Sequence, residues 1–272
     1  MVVAFRQGRQ DQDTIRRQAQ ACPRRIFIVK VGSGLVVDDD GAIRGGLLQS
    51  LSHQLIRMRA QGWQGILVCS GAVALGAQGA RRAGMHNGDR AALAAIGQAR
   101  MMHAFHATGI DAAQLLLTRQ DIDRSTRVLH VLLRQLPIIV VNENDPVGSS
   151  FGNNDALAAE LAVLMQARLL ILLSTVPGLL VDGGPVCCVT GIDEELLAHV
   201  QGTTSVTGVG GMRAKLRAAQ RAASCGAATV IADGRERDIL RRILTGERVG
   251  TLLCLRHATG QERSKRDSEV MT

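Results

Sequence analysis

Short apolar runs alternate with segments of helical period from residue 26 to residue 255, and no other feature narrows the fold as far. A strand buried on both faces reads as a near-continuous apolar run, whereas a helix lying on such a sheet shows one apolar stripe. The runs 26–31, 65–69, 114–118, 137–141, 168–173, 186–189, 227–231 and 250–255 read as strands. Leu47, Leu51 and Leu55 recur at helical spacing, with Leu48 and Ile56 on the same side. Segments 88–107, 121–135, 154–167, 192–200, 212–225 and 235–244 also read as helices, and 202–211 as a Gly/Thr-rich loop. This order predicts an α/β fold, a three-layer αβα sandwich around a mainly parallel sheet of about eight strands. Ligands of such sheets bind beyond the carboxyl ends of the strands. The candidate site therefore lies in loops 32–34, 70–79, 142–153, 174–178 and 202–211.

Composition supports a globular chain. With 272 residues, 46% apolar and 21% charged, it can bury a large core, and collagen-like, coiled-coil and disordered classes are excluded. Four Phe, one Trp and no Tyr weigh against aromatic-rich sandwiches and RNA-recognition sheets. The net charge of +8 conceals an asymmetry: of 32 basic residues only Lys30, Lys215 and Lys265 are lysines. No basic run interleaves with aromatics, so no nucleic-acid partner is expected. Six cysteines without a C-x-x-C pair suggest small core residues in a reducing compartment, and a cytoplasmic location is expected. No membrane span or apolar signal core is evident. Residues 1–22 read as a flexible extension, 23–256 as one domain and 257–272 as a flexible tail.

Several common motifs are absent: G-x-x-x-x-G-K-[ST], G-x-G-x-x-G after the first strand, G-x-S-x-G and H-E-x-x-H. What is present centres on the lysines. Lys30 interrupts an apolar strand just before Gly32-Ser33-Gly34, a costly placement unless its charge is used. The plain alternative is an edge-strand lysine that reaches solvent. Lys215 follows Val209-Gly210-Gly211-Met212-Arg213-Ala214, a glycine loop entering a helix whose first N–H groups can hold an anion. Its plain alternative is a solvated lysine on a connector. A compact ammonium can follow a moving phosphoryl group, which a planar guanidinium fork cannot. Asn142-Glu143-Asn144-Asp145 and Asn153-Asn154-Asp155 supply carboxylates and amides that suit a polar substrate, and equally suit turns and helix caps. Ser70-Gly71-Ala72 can present backbone N–H groups to a carboxylate.

Taken in order, these segments resemble the amino acid kinases, and among them the branch whose acceptor is glutamate. The resemblance covers about residues 26–255. It rests on Val29 to Ser33, Ser70 to Gly76, Ala95 to Arg100, Gln114 to Arg119, Val141 to Asp145, Asn154-Asp155 and Gly210 to Lys215. It implies ATP-dependent phosphorylation of the L-glutamate γ-carboxylate to γ-glutamyl phosphate, the first step of proline biosynthesis. The alternatives are a specialised paralogue acting on another amino acid or small acid, or a catalytically weak ligand-binding homologue.

By the same resemblance, Lys30, Lys215 and Asp155 are catalytic, with Asp155 holding the lysines. Ser70, Gly71, Asn142, Asp145 and Asn154 bind the acceptor. Lys30, Gly32, Ser33, Ser174, Thr175 and the stretch Val209, Gly210, Gly211, Met212, Arg213, Ala214, Lys215 bind ATP. Mg²⁺ is expected through the nucleotide phosphates rather than in a protein cage. A glutamyl phosphate reductase and a homo-oligomeric state are implied as partners, and no PUA domain is expected. The sequence departs from the family's pattern at Thr175 and Asn153, where Asp is usual, and at Leu180, where Tyr is usual.

Overall fold

The computed structural model describes residues 25–82, 90–148, 151–181, 183–200 and 211–255. Eight strands form one sheet in the order β3-β4-β2-β1-β5-β9-β10-β8. They are β1 (Ile26–Val31), β2 (Gln64–Cys69), β3 (Ala112–Leu117), β4 (Ile138–Glu143), β5 (Leu169–Ser174), β8 (Cys188–Val189), β9 (Ala228–Asp233) and β10 (Thr251–Leu253). Every pairing is parallel except β9 with β10. A small hairpin of β6 (Leu180–Val181) and β7 (Gly184–Pro185) stands apart from the sheet. The expected mainly parallel α/β sandwich is therefore present.

Strand alternation divides the core in two. Ile26 and Ile28 pack on one face of β1, Phe27, Val29 and Val31 on the other. The first face is covered by α5 (Ile122–Gln135), α6 (Asn154–Leu164) and α8 (Met212–Ala223) through Leu129, Leu157, Leu161 and Leu216. The second is covered by α2 (Gly45–Ala60), α4 (Arg90–His106) and α9 (Ile239–Leu244) through Leu51, Leu55, Met101, Phe105 and Leu240. Lys30 shares the parity of Ile26 and Ile28, so it rises from the face that carries α6 and α8.

Three local readings are corrected. The segment 32–34 is no open loop: Gly32 caps a single helical turn, α1 (Ser33–Val36). The segment 70–79 is helical from Ala72, the start of α3 (Ala72–Arg82). Its small residues are used for contact, because a Cβ on Gly76 would come within 1.7 Å of the Leu93 carbonyl oxygen of α4. Such close helix crossing outweighs the weak helix propensity of glycine. The segment 235–244 forms its helix only from Ile239, because the preceding Asp238 adopts a left-handed conformation (φ 52°). The short α7 (Glu194–His199) falls inside the expected 192–200. The extension 1–22 and the tail 257–272 lie outside the described residues, as does most of loop 202–211.

Strands β2 and β5 flank β1, and the chain leaves β1 towards β2 but leaves β5 towards β9. The loops after β1 and β5 therefore diverge, and a crevice opens at their carboxyl ends.

Candidate active site

A cavity of about 400 Å³ occupies this crevice, lined from β1 by Lys30, Gly32 and Ser33, from β2 by Ser70 and Gly71, and from β5 by Ser174 and Thr175. Asn142 and Asp145 enter from the end of β4, Asn154 and Asp155 from the first turn of α6, and Lys215 from α8. Twelve residues expected in the site from sequence alone thus converge.

Local chemistry places α6. Asn153 is its N-cap, and its side-chain oxygen accepts the Ala156 N–H at 2.9 Å. Asparagine caps a helix as well as aspartate does, so the usual Asp is not needed here for the helix to begin. The next two side chains, Asn154 and Asp155, are then aimed into the cavity. Asp155 lies in the first turn, where the helix dipole favours a negative charge.

Asp155 is fully buried. Lys30 Nζ meets its Oδ1 at 3.0 Å as a charge contact, and Lys215 Nζ donates to Oδ2 at 3.2 Å. Both lysines are themselves buried. The plain solvent-facing readings of Lys30 and Lys215 are therefore set aside. Burial pulls the Lys215 ammonium below the ordinary lysine range; Asp155 opposes that shift and the Lys30 charge adds to it. Two buried cations share one buried carboxylate, which leaves this trio with a net positive charge.

The polar wall opposite is a connected network. Asn154 Nδ2 donates to Ser70 Oγ at 2.9 Å and to Asn142 Oδ1 at 2.7 Å. Asn142 Oδ1 also accepts the Glu143 N–H at 2.9 Å. Asn154 Oδ1 is buried and accepts no hydrogen bond, so it is an acceptor suited to an incoming donor such as an ammonium. Asp145 is half-buried. Burial pushes its carboxyl above the ordinary range, Glu143 pushes it further, and Arg90 opposes both.

Some expectations are only partly met. Gly211, Met212, Arg213 and Ala214 do not line this cavity; they line a neighbouring groove of about 620 Å³ between α6 and α8. Only Lys215 of that motif enters the main cleft. Val209 and Gly210 lie outside the described residues. Sequence reasoning named Glu143 only within a carboxylate-bearing segment and gave no role to Arg90. Glu143 closes the loop after β4: its carboxylate accepts the N–H groups of Phe151 at 2.5 Å and Gly152 at 3.4 Å. Nothing local in the sequence indicates that pairing. Arg90 carried a signal, since a basic residue in the first turn of a helix works against the helix dipole. Cys69, beside Ser70, is fully buried, and its thiol is pushed up to about 12, so it is no nucleophile.

A family model described as "Amino acid kinase family" matches residues 25–233. The chain belongs to the amino acid kinase family. It is 38% identical over 255 residues to a protein of Thioalkalivibrio sulfidiphilus named "Glutamate 5-kinase", covering 85% of this chain and 67% of that one. A protein of Symbiobacterium thermophilum with the same name is 37% identical over 260 residues, covering 88% of this chain and 98% of that one. Among solved structures, N-acetylglutamate synthase from Neisseria gonorrhoeae, complexed with coenzyme A and L-arginine, superposes with a TM-score of 0.63 at 18% identity. That match covers 90% of this chain and 64% of the other, and speaks for the amino acid kinase fold alone.

Proposed function

We propose that this amino acid kinase transfers the γ-phosphoryl group of ATP to the γ-carboxylate of L-glutamate, giving γ-glutamyl phosphate and ADP, the first step of proline biosynthesis. The observation that carries this reading is the buried Asp155 clasped between Lys30 and Lys215 at 3.0 and 3.2 Å inside the cleft. The relatives' shared name supports the choice of acceptor.

The arrangement suits a reaction that needs no general base. The glutamate γ-carboxylate, with an ordinary pKa near 4.3, is already ionised at neutral pH. One of its oxygens attacks the γ-phosphorus while the bond to the β,γ-bridging oxygen breaks, and the electron pair leaves on ADP. No proton moves. The barrier lies in bringing two anions together in line and stabilising charge on the equatorial oxygens. Lys30 and Lys215 face that charge, and Asp155 fixes both ammonium groups without neutralising the pair. Pre-set charges need no rearrangement as the reaction proceeds. On the acceptor side, Asp145 and Asn154 Oδ1 would hold the α-ammonium, and Ser70, Gly71 and Asn142 the rest of the amino acid. On the donor side, Gly32, Ser33, Ser174 and Thr175 would line the phosphates, with the residues 209–214 beside them.

The described residues contain no group of three or more His, Cys, Asp or Glu able to cage a metal, and Asp155 is committed to the lysines. In this reading Mg²⁺ arrives as part of the nucleotide substrate, on its phosphates. An acyl phosphate hydrolyses readily, so a reductase that consumes it directly belongs to this proposal, as do a cytoplasmic location, a homo-oligomeric state and a kinase domain spanning 23–256. No described helix is long and apolar enough to cross a membrane.

Hydroxylamine trapping tests the reaction. With ATP, Mg²⁺ and L-glutamate the folded protein is expected to form γ-glutamyl hydroxamate. If no glutamate-dependent hydroxamate forms, while another acid in a substrate panel is phosphorylated or ligands bind without turnover, the reading is wrong.

A further inference from the structure

The turn after β9 grips the loop after β5. Gly234 N donates to the Ser174 carbonyl at 2.9 Å, which extends the parallel ladder one step beyond the Ser174–Asp233 pair. The next rung is made by a side chain: Arg235 Nη2 donates to the Thr175 carbonyl at 2.8 Å. The guanidinium is oriented for this by Asp233, which accepts from Nε at 2.9 and 3.1 Å and from Nη2 at 2.6 Å. Burial raises the Asp233 carboxyl, but the Arg235 hydrogen bonds outweigh it and hold it below the ordinary range. Thr175 also lies against the first glycine turn, since a Cβ on Gly34 would sit 3.6 Å from Thr175 Cγ2.

We propose that Arg235, pinned by Asp233, is a positioning residue for nucleotide binding. This rests on the reading above, in which Ser174 and Thr175 line the phosphate side of the cleft. The physical reason concerns carbonyl oxygens. A loop that faces phosphates must not turn its carbonyls towards them, because two negative ends repel. The Ser174 and Thr175 carbonyls are both engaged by donors from the β9 turn, and those donors hold them on that side. Remove the guanidinium and the Thr175 peptide is free to rotate, which disturbs the glycine turn packed beside it. Arg235 itself does not line the cavity, so it acts through Thr175. A lysine cannot replace it, because a single ammonium cannot hold both Asp233 oxygens and also reach the carbonyl.

The test is titration calorimetry with a non-hydrolysable ATP analogue, alongside steady-state kinetics. Arg235→Ala is expected to weaken analogue binding and raise the ATP KM about five- to tenfold, the scale of one lost hydrogen bond of ordinary strength. Its kcat and glutamate KM should stay within about twofold. Arg235→Lys should not restore affinity. Asp233→Asn, which keeps the guanidinium but loosens it, should show a smaller loss in the same direction and serves if the alanine variant does not fold. Folded variants with wild-type affinity for the analogue, or with equal loss for nucleotide and glutamate, would overturn the proposal. A wild-type protein that binds the analogue more tightly than Arg235→Ala, yet makes no glutamyl hydroxamate, would uphold the clip and sink only the choice of acceptor.

Discussion

At the scale of single residues, the site is built from charges that destabilise one another unless they are matched. Asp155 is the match for both lysines. Replacing it by Asn leaves two buried ammonium groups without a counter-charge. Breaking a buried pair in this way costs about 3 kcal/mol or more. Asp155→Asn should therefore lose both activity and melting temperature, whereas Lys30→Ala should lose turnover with the fold retained; circular dichroism and calorimetry read the difference. Asp145 makes a second case. Its carboxyl is raised by burial and by Glu143, so the folded protein binds this proton more tightly than the unfolded chain does. Stability is thus lost as pH rises from the ordinary carboxylate range up to the raised value, and the cost stays constant above it, while the proposed grip on the substrate ammonium is lost as pH falls below the raised value. Asp145→Asn is expected to be more heat-stable than wild type at pH 7. It should show a higher glutamate KM there, with the acid-side rise in KM removed. A variant that keeps the acid-side rise would place the titration elsewhere.

At the scale of elements, two glycines set the position of the loop that carries Ser70. Gly76 of α3 faces the Leu93 carbonyl, and a Cβ on Gly97 of α4 would fall 1.7 Å from the Ala72 carbonyl oxygen. The two helices touch backbone to backbone at the residue that follows Ser70-Gly71. Gly97→Ala must push α3 outward, and with it the loop that carries Ser70. Overpacking of this severity costs about 3 kcal/mol. The expected outcome is a lower melting temperature and a raised glutamate KM, with nucleotide affinity nearly unchanged because β5 and β9 are not displaced. Equal damage to both substrates would show that α3 does not act on the acceptor side alone. This contact also explains the glycine that obscures the helix at 72: its alanines favour a helix, and Gly76 is there because the α4 backbone leaves no room for a Cβ.

At the scale of the whole molecule, the proposed function places two half-sites side by side in one cleft. In that reading, acceptor residues come from the ends of β2 and β4 and nucleotide residues from the ends of β1 and β5, with the lysine pair between them. Ligands in separate half-sites should stabilise the fold additively. Each at a hundred times its Kd contributes roughly 2.7 kcal/mol, or about 5–10 °C in a chain of this size. Thermal melts with glutamate, with an ATP analogue and with both should show shifts that sum. If the second ligand adds nothing, the two compete for one site.

The sequence alone determined the layered α/β fold and the strand ends to within a few residues, because apolar runs and helical stripes are local consequences of what each segment must bury. It also marked Lys30 and Lys215, since a lysine in an apolar strand and one behind a glycine loop stand out in a chain that otherwise uses arginine. The family resemblance named Asp155 as their partner, and only the tertiary structure decided how the three side chains meet. Lys30, Asp155 and Lys215 lie far apart along the chain, and their meeting depends on strand order and on the parity of β1. The same holds for Glu143 closing its loop onto Phe151, for Arg235 reaching Thr175, and for Gly211 to Ala214 turning to a neighbouring groove. Each depends on which backbone runs beside which, and no local pattern of residues encodes that.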